Sequence, residues 1–177
     1  MLTSFRSAQR TWVFTKNNND LPAGAVVDFV VNPDSGVFAA IWVKTANGLK
    51  LLAPQDIIRW DENQITIQAE NDLSNPENFL RIQKIIDKEI PILGTAVFVK
   101  DTKIGKVFDF AFDTISPRIL TLLVRSGWFL FGYERIIPQS RIIKITKKGI
   151  FISNNEIKTT EKSNLKKERV IPKTDHT

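Results

Sequence analysis

A histidine acts as a general base or a metal ligand only where the fold holds it in fixed geometry. The one histidine of this 177-residue chain, His176, is the penultimate residue of a stretch of Lys, Glu, Asn and Thr that offers no such frame. There is no cysteine, which excludes a thiol nucleophile, a disulfide and a thiolate metal site, and which fits a reducing, cytoplasmic compartment. Neither common Gly-rich phosphate loop is present, and Gly94 and Gly105 stand too far apart to make one. The sequence therefore gives no catalytic residue, no metal ligand set and no cofactor, and a non-enzymatic protein is the expectation.

Three groups remain to be weighed. Asp28 and Asp109 could serve as paired carboxylates for acid–base work or cation binding; the preferred reading is that each sits near a strand bend and accepts backbone N–H groups. Gly127-Trp128-Phe129-Leu130-Phe131-Gly132-Tyr133 concentrates aromatic side chains between two glycines. Trp128, Phe129, Phe131 and Tyr133 are thus the candidate protein-binding residues, against the more favoured reading that such rings fill a core. The last twenty residues carry six Lys and Arg against three acidic residues, half of the formal net charge of +6. Such a tail can touch RNA, DNA or an anionic membrane surface through charge, or only keep the chain soluble.

The elements that position these residues are legible through an internal repeat. Gly24-Ala25-Val26-Val27-Asp28-Phe29 matches Gly105-Lys106-Val107-Phe108-Asp109-Phe110 at an offset of 81, as Gly-x-Val-x-Asp-Phe. The same offset places Asn32 on Asp113, Ser35 on Ser116, Ile41 on Leu122 and Val43 on Val124. Pro54-Gln55 then matches Pro138-Gln139 at an offset of 84, so three extra residues fall between Arg125 and Ile137. Further on, Ile57-Ile58 aligns with Ile142-Ile143, and Ile65-Thr66-Ile67 with Ile150-Phe151-Ile152.

Each unit reads as short strands punctuated by turns, for example 104–112 and 118–125 around a turn at 113–117, with Pro138 opening a further strand. Between the units, Ser74-Asn75-Pro76-Glu77 supplies a capping box, and Phe79, Ile82, Ile85 and Ile86 follow at helical spacing, which predicts a helix ending before Pro91. Its apolar stripe is expected to cover the open end or seam of a barrel. Apolar periodicity stops after Ser153, which predicts a disordered basic tail. Residues 1–16 lack the apolar run of a secretory signal, and no window reaches the roughly 18 apolar residues of a membrane span.

With Gly24, Asp28, Gly105 and Asp109 as its structural motif, the repeat resembles the PRC-barrel family over about residues 11–67 and 93–152. The family is known from the cytoplasmic domain of the photosynthetic reaction centre H subunit and the C-terminal domain of the ribosome maturation factor RimM. This chain is more similar to free-standing bacterial tandem forms. The resemblance implies a mainly β protein of two small β-barrels in tandem: residues 1–73 and 93–155, joined by one helix over 74–92 and followed by a disordered tail over 156–177. It implies a cytoplasmic adaptor or scaffold that binds another macromolecule, a protein in the first place. An RNA- or ribosome-associated factor is the alternative, and peripheral membrane contact stays open.

Overall fold

The computed structural model describes residues 1–18, 20–80, 82–88, 90–127, 133–154 and 159–160. Strand β1 (Leu2–Ser4) leads into a single helical turn, α1 (Phe5–Ala8), whose first N–H groups are capped by the Ser4 hydroxyl, which accepts from the Ser7 N–H. There follow β2 (Trp12–Thr15), β3 (Gly24–Val31), β4 (Phe38–Thr45), β5 (Gly48–Leu52), β6 (Ile57–Trp60), β7 (Gln64–Ile67) and β8 (Leu73–Ser74). After the helical turn α2 (Gln83–Ile86) come β9 (Ala96–Val99), β10 (Thr102–Asp113), β11 (Arg118–Ser126), β12 (Tyr133–Pro138), β13 (Ile142–Thr146), β14 (Gly149–Ile152) and β15 (Thr159–Thr160). The fold is mainly β, with sheet curled into a half-barrel.

The two sheets repeat each other strand for strand. The first runs β6-β7-β2-β3-β4-β5-β8 and the second β13-β14-β9-β10-β11-β12-β15, with β1 added beside β10. Each contains one parallel pair, β2 with β7 and β9 with β14, in which Val13 faces Ile65 and Val97 faces Ile150. Even the irregularities coincide. In β3 and β4, Val26 faces Val43 and Asp28 faces Trp42, so that Val27 is left over as a bulge; in β10 and β11, Val107 faces Val124 and Asp109 faces Leu123, so that Phe108 is left over. The hairpin turns also match. Asn32 Oδ1 accepts the Asp34 N–H at 3.0 Å, and Asp113 Oδ1 accepts the Ile115 N–H at 3.2 Å, the same Asx turn built twice.

The sheets meet across these hairpins. Val37 and Arg118 form an antiparallel bridge, flanked by Phe38 N–H donating to the Pro117 carbonyl and Ile119 N–H donating to the Gly36 carbonyl, both at 2.9 Å. Behind the bridge lies a cluster of rings from both units. Phe29 stands 4.7 Å from Phe38 and 5.2 Å from Phe112, Phe38 stands 4.8 Å from Phe112, and Trp60 closes the side of the cluster at 5.5 Å from Phe112. Tilted and edge-to-face pairs at these separations add to what burial of the rings contributes. One continuous core therefore runs through both sheets, from Val13 and Ile65 at one end to Val97 and Ile150 at the other.

Two expectations are corrected here. The helix predicted over 74–92 is, among the described residues, one α turn at Gln83–Ile86 after a 3-10 turn at Pro76–Asn78. Its capping box does not form, because Ser74 is drawn into β8 opposite Leu51 and the Asn75 side chain makes no cap hydrogen bond. Pairing in the sheet wins over a helix whose nucleus is costly to form. The apolar stripe is used all the same: Phe79, Ile82, Ile85 and Ile86 pack on Val30, Ala40 and Leu51, a face of the first sheet outside the main core. Likewise Pro138 closes β12 instead of opening a strand, and a 3-10 turn at Gln139–Arg141 follows, as one at Pro54–Asp56 follows β5.

Candidate functional site

Each position of the repeated motif has a mechanical reason. A Cβ on Gly24 would lie 2.6 Å from Val43 Cγ1 and 2.7 Å from the Lys44 carbonyl oxygen. One on Gly105 would lie 2.8 Å from Val124 Cγ1 and 2.5 Å from the Arg125 oxygen, so in both units the coiled strand leaves no room for a side chain. Val26 and Val107 are buried in the core. The next residue is the bulge, and the aspartate that follows accepts the N–H beyond it: Asp28 Oδ1 that of Phe29 and Asp109 Oδ1 that of Phe110, both at 2.8 Å. The phenylalanine enters the shared ring cluster, where Phe29 and Phe110 are 6.4 Å apart.

The aspartates are equivalent in the chain but not in their surroundings. Asp109 is covered by the N-terminal arm. In β1, Leu2, Thr3 and Ser4 face Asp113, Phe112 and Ala111; the buried Phe5 ring lies 5.0 Å from Phe110; and the Arg6 N–H donates to Asp109 Oδ1 at 3.3 Å. The Arg6 guanidinium donates to the Phe108 carbonyl, and the terminal ammonium of Met1 pairs with Asp113 at 3.1 Å. That ammonium, with the Ile115 and Ser116 N–H groups, holds the Asp113 carboxyl below the usual range.

The matching arm of the second unit begins alike at its strand end. Arg10 N–H donates to the Val26 carbonyl and Gly94 N–H to the Val107 carbonyl, and Arg10 and Gly94 share a left-handed φ of 72° and 75°. Farther out, however, this arm is the helical turn α2 and not a strand. Between it and β3 lies a cavity of about 580 Å³, walled by Phe29, Val31, Trp42, Ile85, Ile86 and Phe110 and carrying Asp28 with Gln9 and Lys88. Asp28 is reached by solvent yet crowded by these walls, and the crowding pushes its carboxyl up against the opposing pull of the Phe29 N–H. Among the described residues the β3 edge pairs on this side with β2 at Gly24 and Ala25, is hydrogen-bonded to Arg10 and Thr11 at Val26 and to the Gln9 side chain at the Val27 carbonyl, and has no strand partner from Asp28 to Val31.

A second, more open concavity of about 540 Å³ lies over Gly105, Val107 and Gly127, with Lys103, Lys106 and Arg125 around it. Arg125 is tied to Glu134 at 2.8 Å and lies 4.4 Å over the Phe108 ring. Of the aromatic residues singled out in the sequence, Tyr133 opens β12 opposite Ser126 and is 51 % exposed. Trp128, Phe129 and Phe131 lie outside the described residues, as do His176 and the basic tail apart from β15. Among the described residues no three acidic or histidine side chains converge on a cation position, and no helix is long and apolar enough to cross a membrane.

Sequence reasoning pointed to Asp28 but missed the cavity around it, whose walls come from β3, β4, α2 and the facing sheet. Trp42 carries no motif, and Phe5 belongs to an arm with no counterpart in residue identity. No protein-family model matches the chain, and no curated protein matches it either.

Proposed function

We propose that this chain is a non-enzymatic, cytoplasmic adaptor of PRC-barrel type, two repeated units forming one body that binds another macromolecule, in the first place a protein. The observation that carries the reading is the cavity at Asp28: largely apolar walls, one carboxyl among the described residues and a strand edge unpaired at Val30 and Val31 suit recognition of a polypeptide. The bland role of Asp109, buried under the arm and spent on backbone N–H groups, supports reading the repeated aspartates as parts of a scaffold and not of a catalytic pair.

An RNA-associated role is favoured by the second concavity, where Lys103 and Lys106 stand beside Arg125. One experiment separates the two. The intact chain, carrying a photo-crosslinking residue at the exposed Gln9, is purified from native cells and the recovered complex is treated with nuclease. A nuclease-resistant protein crosslinked through Gln9 supports the adaptor; release of the bound material by nuclease overturns it in favour of RNA.

A further inference from the structure

Because β3 and β10 have one register, one bulge and one aspartate in common, the strand that pairs with β10 shows what the unpaired end of β3 is shaped to receive. On β10, positions 111–113 are paired by three extended residues; an aromatic ring then drops onto the phenylalanine after the aspartate, and the next N–H reaches the aspartate itself. At the offset of 81, the equivalent positions are Val30 and Val31 of β3 and Asn32 just after it, with Phe29 and Asp28 beyond. Val30 and Val31 pair with Ala40 and Phe38 of β4 on one side; on the other, β2 reaches only Gly24 and Ala25, and among the described residues no strand pairs with Val30 or Val31. Such an edge is a template for a further strand.

We infer that the cavity at Asp28 takes an extended segment of a separate protein, added antiparallel to Val30–Asn32, with an aromatic side chain followed by a basic residue seated over Phe29 and Asp28. The inference rests on the adaptor reading and specifies its partner. The occupant is not this chain's own arm, since Leu2–Ala8 is already committed to β10. Charge complements the choice. Among the described residues Asp28 accepts from its neighbour's N–H alone, whereas Asp109 accepts a second N–H from Arg6, and a Phe-Arg step would supply both that backbone N–H and a cation, as Phe5-Arg6 does beside Asp109. The cavity has room for a few residues, within the size usual for ligand sites.

The test uses the intact chain and a labelled synthetic peptide with the sequence Met-Leu-Thr-Ser-Phe-Arg-Ser-Ala, followed by fluorescence anisotropy and by amide chemical shifts. Saturable binding is expected, with shifts at Val30, Val31 and Asn32, and the dissociation constant should rise about tenfold for Asp28→Ala and for the peptide with Phe replaced by Ala. Asp28→Asn, which keeps an acceptor oxygen, should bind more tightly than Asp28→Ala. Absence of binding at millimolar peptide overturns the inference, as do shifts centred on Phe112 and Asp113, which would show exchange with the chain's own arm. Concentration-dependent dimerisation abolished by Asp28→Ala overturns it too, because a second copy would then be the occupant. A protein crosslinked at Gln9 without peptide binding ends strand addition alone, whereas nuclease release at Gln9 ends the adaptor reading itself.

Discussion

Val37 and Arg118 occupy the same position of the repeat, 81 residues apart, and face each other in an antiparallel bridge. The hydrogen bonds on either side exchange roles under the same offset, Phe38 with Pro117 and Ile119 with Gly36. The units are thus related across this bridge by an approximate two-fold axis, and the rings behind it belong equally to both.

It follows that the halves unfold together. Calorimetry of the intact chain should show one transition, and Phe38→Ala should lower its midpoint by the equivalent of about 3–5 kcal/mol without splitting it. Two resolved transitions would contradict the shared core.

The motif glycines should resist substitution in both units. Gly24→Ala and Gly105→Ala each force a strand apart at a backbone oxygen, a cost of about 1–3 kcal/mol by analogy with overpacked cores. Denaturant unfolding measures it. Gly48, where a Cβ would meet nothing within 4 Å, serves as the contrast in space, although its φ of 109° brings a strain of its own.

Asp109→Ala removes an acceptor from the N–H groups of Phe110, just beyond the bulge, and of Arg6, and should destabilise by about 1–3 kcal/mol. Any effect should be on stability. A turnover abolished by this substitution with the melting temperature unchanged would refute the scaffold role.

The other two aspartates should show opposite pH dependence. The Asp28 carboxyl is raised from 3.8, so its ionisation opposes folding: the penalty is absent below the unfolded value and complete above the raised one. Asp28→Asn should therefore gain melting temperature relative to the parent as pH rises from 3 to about 7. Asp113 is lowered, so its charge supports the fold above the unfolded value and that support is lost as pH falls through the lowered one. Asp113→Asn should lose melting temperature near neutrality and match the parent in strong acid.

That the two halves share one plan of strands and turns was readable because the repeat aligns them: Gly-x-Val-x-Asp-Phe matches β3 to β10, Asn32 and Asp113 match the turns, and the Ile pairs the outer strands, whereas the order of the strands in the sheets was not. The linker misled because Ser74 and the stripe from Phe79 to Ile86 satisfy helical rules locally, while β8 and the sheet face claim those residues through contacts distant in sequence. The arms were hidden for a different reason. Arg10 and Gly94 perform the same backbone turn with unrelated side chains, and β1 differs from α2 in secondary structure itself, so residue matching had nothing to find. A cavity formed between such arms and their strands leaves no local pattern.

The arm on β10 also sets a constraint on biosynthesis. Leu2–Ala8 is made about a hundred residues before its docking strand, and Phe29, Phe38 and Trp60 lack their covering rings until Phe110 and Phe112 have emerged. The nascent first half carries an exposed aromatic face and an unpaired leader for several seconds at ordinary elongation rates of roughly 5–20 residues per second. Completion of the first half's core therefore waits on synthesis of β10, and a chain truncated before β10 would leave Phe29, Phe38 and Trp60 without the rings that cover them, not yield a half-sized version of the protein.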